Sequence, residues 1–142
     1  AIRCWNSIPM LGRSLCSYEC HPVLVRSVAP RQFSDGLSFI KASDGAWFNI
    51  AHGMVAKVLS YDLTSRRVTF LVRIAAGTRY APHRHAAAEE RCVLEGGCLC
   101  GGRELAVGHY HRAEAGREHH DTSSDDGCLL LVISFPQNEM LQ

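Results

Sequence analysis

Three side chains that commonly bind metal ions lie close together at His83, His85 and Glu89. Successive side chains of a β-strand point to opposite faces, so histidines two residues apart project to the same side. Only alanines separate His85 from Glu89, and these small residues let the chain turn and bring a carboxylate back toward the same point. The spacing therefore predicts two imidazoles and one carboxylate as ligands of a single divalent cation.

A fourth ligand is predicted from a distant part of the chain. His119 follows the turn-like residues 114–116, at the start of a strand-like stretch, and a sheet rolled into a barrel would bring it beside the first pair. Its neighbour His120 would face the other way on a regular strand and is the alternative ligand. The predicted metal site is therefore His83, His85, Glu89 and His119.

Further polar residues near these ligands are candidates for a substrate pocket or for hydrogen bonds that orient the ligands. They are Tyr61, Arg73, Arg79, Tyr80, Glu90, Arg91, His109 and His111. His109 and His111 are again two residues apart and would share one strand face, which makes them the first candidates for a base that takes a proton from a substrate. The predicted catalytic set is His109, His111, Tyr61 and Arg73. Exposed polar residues of a strand are the alternative interpretation.

The segments that must position these residues are short and rich in β-forming residues from residue 37 onward. Turn residues separate the runs 37–41, 46–50, 54–61 and 66–75, and glycines punctuate the second half in the same manner. No long segment shows helical periodicity, and the pattern is typical of an all-β sandwich or barrel. We therefore predict one all-β domain over residues 37–142.

Residues 1–36 differ from the rest, because they are rich in arginine and carry three cysteines with little periodicity. We predict an N-terminal arm packed on the barrel, with a transit peptide or a processed start as the alternative. Cys16, Cys20 and His21 lie close together in this arm, but three ligands without a fourth are weak evidence for a metal site.

The composition is that of an ordinary globular chain, with 142 residues, 46% hydrophobic and 20% charged. The formal net charge is +1 and the basic residues are scattered, which disfavours nucleic acid or a membrane surface as a partner. The longest apolar run, residues 128–135, is too short to cross a bilayer and is predicted to be a buried strand. Seven cysteines without a paired C-x-x-C pattern predict mostly reduced thiols and a cytoplasmic location.

The spacing of the ligands resembles the first sequence motif of the cupin superfamily, whose members are also called RmlC-like. In that motif a glycine is followed by His-x-His, a glutamate and a second glycine at fixed intervals. Here Gly77, His83, His85, Glu89 and Gly96 have these positions, so the match is complete.

The second cupin motif matches in part. Gly108, Gly116 and His119 follow its spacing, whereas Glu114 stands in place of the usual proline and Ser123 in place of the common asparagine. The resemblance is closest to the cupin domain of ChrR-type anti-sigma factors and to related small metal-binding cupins.

The resemblance implies a double-stranded β-helix, a jelly-roll barrel of two sheets with one divalent metal ion inside one end. Zn and Fe(II) are the expected ions, and Mn, Ni and Cu also suit such ligands. ChrR-type anti-sigma factors carry an N-terminal zinc-binding domain. Residues 1–35 lack its spacing, so a sigma-binding role is not expected here.

Three functions are open for such a barrel. The first is a metal-dependent dioxygenase acting on a small molecule, because related small cupins cleave diketones or oxidise thiols, several of them with three histidines and no glutamate. The others are a metal-dependent isomerase or lyase, and a non-enzymatic sensor or regulator of the ChrR type. The expected partners are a small-molecule substrate or ligand and a second copy of the chain in a homodimer. A polar cavity reaching the metal would favour catalysis, and a collapsed apolar interior would favour a structural ion.

Overall fold

The structure is a computed structural model that describes residues 36–135 and 138–141, and these residues form strands and turns without a helix. The strands are β1 (Phe48–Ala51), β2 (Met54–Tyr61), β3 (Val68–Ile74), β4 (Thr78–Arg79), β5 (His83–His85), β6 (Glu89–Cys100), β7 (Arg103–Ala106), β8 (Tyr110–Ala113), β9 (Glu118–His119), β10 (Ser123–Ser124), β11 (Cys128–Ser134) and β12 (Asn138–Met140). Over this part of the chain no helix has the length and apolarity to span a membrane. The predicted all-β class is confirmed.

The strands form two antiparallel sheets. The larger has the order β1-β2-β3-β11-β6-β10-β4, and β7 and β8 also pair with β6. The smaller has the order β12-β5-β9. The long strand β6 joins the parts of the larger sheet, because its first residues pair with β8 and its last residues pair with β7.

The core lies on the inner face of the larger sheet. Alternate residues of β2, β3 and β11 are buried there, as the period of two in a half-buried strand requires. The core residues are Met54, Ala56, Val58, Val68, Phe70, Val72, Ile74, Val93, Cys98, Cys128, Leu130 and Val132. Burial of each large apolar side chain contributes about 1.5–3 kcal/mol, so this cluster stabilises the larger sheet.

The predicted strand boundaries have mixed outcomes. The runs 54–61 and 128–135 form β2 and β11, and the run 66–75 contains β3. The prediction of a strand over residues 37–41 is wrong. Lys41 and Asp44 form a turn there. The carbonyl of Lys41 accepts a 2.9 Å hydrogen bond from the N–H of Asp44, and the N–H of Lys41 donates a 3.0 Å hydrogen bond to the Asp44 carboxylate. The backbone of Lys41 therefore does not pair with a neighbouring strand.

The predicted N-terminal arm, residues 1–36, lies outside the described residues except for Gly36. The same holds for the cluster of Cys16, Cys20 and His21. The four described cysteines, Cys92, Cys98, Cys100 and Cys128, are free thiols.

Candidate metal centre

Strand β5 places two predicted ligands on one face. It lies in the middle of the smaller sheet, and its residues His83 and His85 are 2% and 1% exposed. Arg84 between them points outward and forms ion pairs of 2.6 Å with Glu118 and 2.9 Å with Glu139. The alternation of a strand is therefore observed, and both imidazoles point into the interior.

The third histidine comes from β9, where His119 lies opposite His83 in the strand register. Nε2 of His85 is 3.1 Å from Nδ1 of His119. One ligand nitrogen from each of the three histidines lies within 4.8 Å of the others. Two nitrogens bound to one ion at about 2.1 Å lie no more than about 4.2 Å apart. The spacing of His85 and His119 is compatible with a shared ion.

Burial keeps the three imidazoles in the neutral form that binds metals. It lowers the pKa of His83 and of His85, and it lowers the pKa of His119 to about 3. Nδ1 of His83 donates a hydrogen bond of 3.1 Å to the carbonyl of Ala81, which leaves Nε2 with its lone pair free for an ion. Nδ1 of His85 is buried and has no hydrogen-bond partner. Three buried, neutral imidazoles that converge in this way fit a divalent metal ion.

Glu89, the predicted carboxylate ligand, forms an ion pair with Arg91. It begins β6, is buried, and its Oε1 accepts a hydrogen bond from Nη2 of Arg91 in a buried ion pair. Its other oxygen, Oε2, is 3.8 Å from Nδ1 of His85. Burial would raise the pKa of Glu89, but the nearby charge and hydrogen bond of Arg91, together with His85, lower it to about 2. The carboxylate is thus ionised beside the histidines, and its role as a ligand stays a prediction.

The alternative ligand His120 faces away from the site. Its side chain is 63% exposed, and its Nε2 lies 3.0 Å from Oε2 of Glu118 on the outer surface. The structure therefore brings His119 to the cluster and leaves His120 outside it.

Two further side chains lie next to His119. The Sγ of Cys100 is 3.8 Å from Nε2 of His119, and the ring centroid of His111 is 5.0 Å from that of His119. One ligand atom from each of these three residues lies within 4.8 Å of the other two. His111 belongs to the predicted catalytic set, but sequence reasoning missed Cys100.

The other predicted catalytic residues lie away from this cluster. His109 is exposed and precedes β8 in a turn, where its Nδ1 accepts a bond from the backbone N–H of Ala106. The expected face shared by His109 and His111 is therefore not formed. Arg73 is exposed beside Glu95, and Tyr61 packs against the hydrophobic core. Catalytic roles for these residues stay predictions.

A small cavity reaches His83, but not His85 or His119, from the larger sheet. Its volume is about 30 Å³, enough for about two water molecules. Its walls are mainly apolar residues of β2, β3 and β11, with polar groups at the smaller sheet and along β6; the polar lining residues are Tyr80, His83, Glu89, Arg91, Thr122 and Asn138. The interior is thus neither a wide polar pocket nor completely filled.

Comparison with known proteins gives one family. The family model described as ChrR Cupin-like domain matches residues 36–137. No curated protein matches the sequence.

Solved structures with the same fold include an acetylacetone dioxygenase from Acinetobacter johnsonii, which is 16% identical at a TM-score of 0.67 and covers 75% of this chain and 78% of its own. An RmlC-like cupin from Shewanella frigidimarina is 18% identical at a TM-score of 0.60, with 75% and 96% covered. A chain of the complex of Rhodobacter sphaeroides SigE with the anti-sigma ChrR is 20% identical at a TM-score of 0.57, with 66% and 51% covered. At these identities the likeness concerns the fold alone, and it confirms the predicted jelly-roll architecture.

Proposed function

Because this chain belongs to the ChrR Cupin-like domain family, we propose that His83, His85 and His119 bind one divalent metal ion and that the centre oxidises a small molecule with dioxygen. The observation that carries this proposal is the convergence of three buried, neutral imidazoles, one of which, His83, lines a small cavity. Zn and Fe(II) are the ions proposed for the site, and only Fe(II) of the two suits oxygen chemistry.

The three histidines are prepared for a metal before it arrives. Their neutral state means that binding displaces no proton from a ring nitrogen lone pair, and the bond from His83 to Ala81 fixes one ring in the required orientation. A bound Fe(II) ion would supply Lewis acidity and electrons for the reaction with dioxygen.

The ion pair of Glu89 and Arg91 determines which donor atoms the site offers to a metal. While Arg91 holds the carboxylate, the donor set is three neutral nitrogens, which leaves coordination positions for a chelating substrate. Arg91 also lines the cavity, as one half of this buried ion pair.

The remaining residues favour a small substrate. The walls from β2, β3 and β11 are mainly apolar, and a cavity of about 30 Å³ must widen to admit even a compact substrate. Of the predicted bases, His111 is the one beside the cluster, and burial lowers its pKa and so keeps its imidazole neutral. Since one structural neighbour is an acetylacetone dioxygenase, small 1,3-dicarbonyl compounds are the first substrate class to test.

The second candidate is a non-enzymatic sensor or regulator that binds the same metal. Membership of the ChrR Cupin-like domain family and the small volume of the cavity favour it. In this case the metal would respond to a ligand or oxidant without turnover.

The deciding experiment begins with elemental analysis of protein purified without added metal. The chain is then loaded with Fe(II) under anaerobic conditions, and oxygen uptake is measured with a panel of diketones and thiols. The variant His83→Gln removes one proposed ligand, and His120→Gln is the matched control at an exposed histidine. Circular dichroism checks that both variants fold.

Uptake by the wild type and by His120→Gln, but not by His83→Gln, is the result we expect. No uptake above the His83→Gln background with any substrate would exclude the dioxygenase. One bound ion in that inactive protein would then favour the regulator.

A further inference from the structure

A buried thiol lies next to the candidate centre. Cys100 ends β6 and is 1% exposed, and its Sγ lies 3.8 and 3.9 Å from the two ring nitrogens of His119. No disulfide occupies this thiol. A sulfur ligand is therefore available where the histidine triad offers only nitrogen.

His111 completes a second set of donors. It lies on β8 opposite Arg91 of β6, and its ring contacts that of His119. Nδ1 of His111 is buried and has no hydrogen-bond partner, so a nitrogen is unsatisfied beside the thiol. A donor that lacks a partner in a closed interior is typical of a ligand site.

We propose that Cys100, His111 and His119 form a second, alternative site for a soft metal ion such as Zn²⁺, Cu⁺ or Cd²⁺. Sulfur and imidazole ligands select such ions, whereas an all-nitrogen set also suits Fe(II), Mn and Ni. Both sets need His119, which is neutral and has one lone pair, so the two sites exclude each other. The kind of metal thus determines which of the two donor sets holds it.

Burial raises the pKa of Cys100, so metal binding itself must displace the thiol proton, although two donors lie close to the sulfur. Nη1 of Arg91 lies 3.4 Å from Sγ, and Oγ1 of Thr122 lies 4.0 Å from it. When the metal binds, the S–H proton leaves to solvent and the S–metal bond replaces it. The charge of Arg91 does not repel the ion strongly, because Glu89 neutralises it in the buried pair.

The test is a titration of the full chain with Cd²⁺, with a phosphine reductant present to keep the thiols reduced. The readout is the ultraviolet charge-transfer absorption that a thiolate bound to the metal produces. The variants are Cys100→Ser and His111→Ala in the proposed site, and His83→Ala in the triad only. Cys92→Ser, at a half-buried cysteine earlier on the same strand, is the matched control. Circular dichroism checks folding, and Cys100→Ala replaces Cys100→Ser if the serine variant does not fold.

We expect Cys100→Ser and His111→Ala to reduce the absorption and to weaken Cd²⁺ binding at least about tenfold. His83→Ala and Cys92→Ser should leave the Cys100 component unchanged. An unchanged spectrum in Cys100→Ser would overturn the proposal, and so would an equal loss in His83→Ala, since the thiol would then serve the triad's ion. This inference goes beyond the proposed oxidation and does not require it, because the Cd²⁺ result is independent of oxygen uptake.

Discussion

Replacement of Arg91 by methionine should destabilise the chain by about 3 kcal/mol at pH 7. Glu89 and Arg91 are 5% and 6% exposed, and the variant leaves the carboxylate buried without its cation. The pKa of Glu89 is about 2 against an ordinary value of 4.5. At about 1.36 kcal/mol per pKa unit this difference corresponds to about 3 kcal/mol. Removal of one partner of a buried ion pair costs about 3–5 kcal/mol in other proteins, which agrees.

The assay is equilibrium urea denaturation with a chelator present, so that bound metal does not add to stability. The double variant Glu89→Gln with Arg91→Met removes both charges and should recover most of the loss. Arg112→Met is the matched control, because Arg112 is exposed and its ion pairs contribute less than about 1 kcal/mol. A loss in Arg91→Met no greater than in Arg112→Met would refute the reasoning, as would a double variant less stable than the single one.

Three further predictions concern the pH dependence of stability, two glycine substitutions and assembly. As the pH falls from about 4.5 to about 2, the wild type should lose more stability than Glu89→Gln. The reason is that the lowered pKa of Glu89 contributes its full stability only above that range. Acid titrations of both proteins by circular dichroism measure the difference, and parallel unfolding curves would contradict it. Gly96→Ala should cost about 3 kcal/mol, since φ is +66° and the added Cβ would lie 2.1 Å from the Gly127 carbonyl oxygen. Gly116→Ala, at φ +79° with open space around it, should cost about 1 kcal/mol. Equal melting temperatures of the Gly96→Ala and Gly116→Ala variants would contradict this difference. Sedimentation should give the mass of a homodimer, and a monomer at all concentrations would exclude that expectation.

The histidine cluster was predictable because two of its members share a strand and the third lies at a fixed spacing in a second motif. His83 and His85 share a face on any regular strand, and the spacing from Gly108 to His119 selects His119 over His120. The burial of strand β11 was equally predictable, because a short continuous apolar run is typical of a buried strand.

The position of Cys100 could not be predicted, because a bulge interrupts β6. In the register, Leu129 lies opposite Glu95 and Leu130 opposite Val93, so Leu94 is an extra residue. The buried residues of β6 are therefore odd-numbered before the bulge and even-numbered after it. Strict alternation would have placed Cys100 on the face opposite Glu89.

The role of Arg91 was also beyond the sequence. A glutamate in a metal-binding motif is expected to face the ion, but an arginine two residues later on the same strand face competes for its carboxylate. Which partner prevails depends on burial and distance, and these arise only when the sheets close. His109 shows the same limit, since the turn before β8 removes it from the strand on which its partner lies.

The central claim is that three histidines from two strands hold one ion, and anaerobic calorimetric titration with Fe(II) tests it most directly. The wild type and His120→Ala should each bind one ion per chain with similar affinity, whereas His85→Ala should bind at least about tenfold more weakly, a difference of about 1.4 kcal/mol. Undiminished binding by His85→Ala, or no binding by the wild type, would contradict the account.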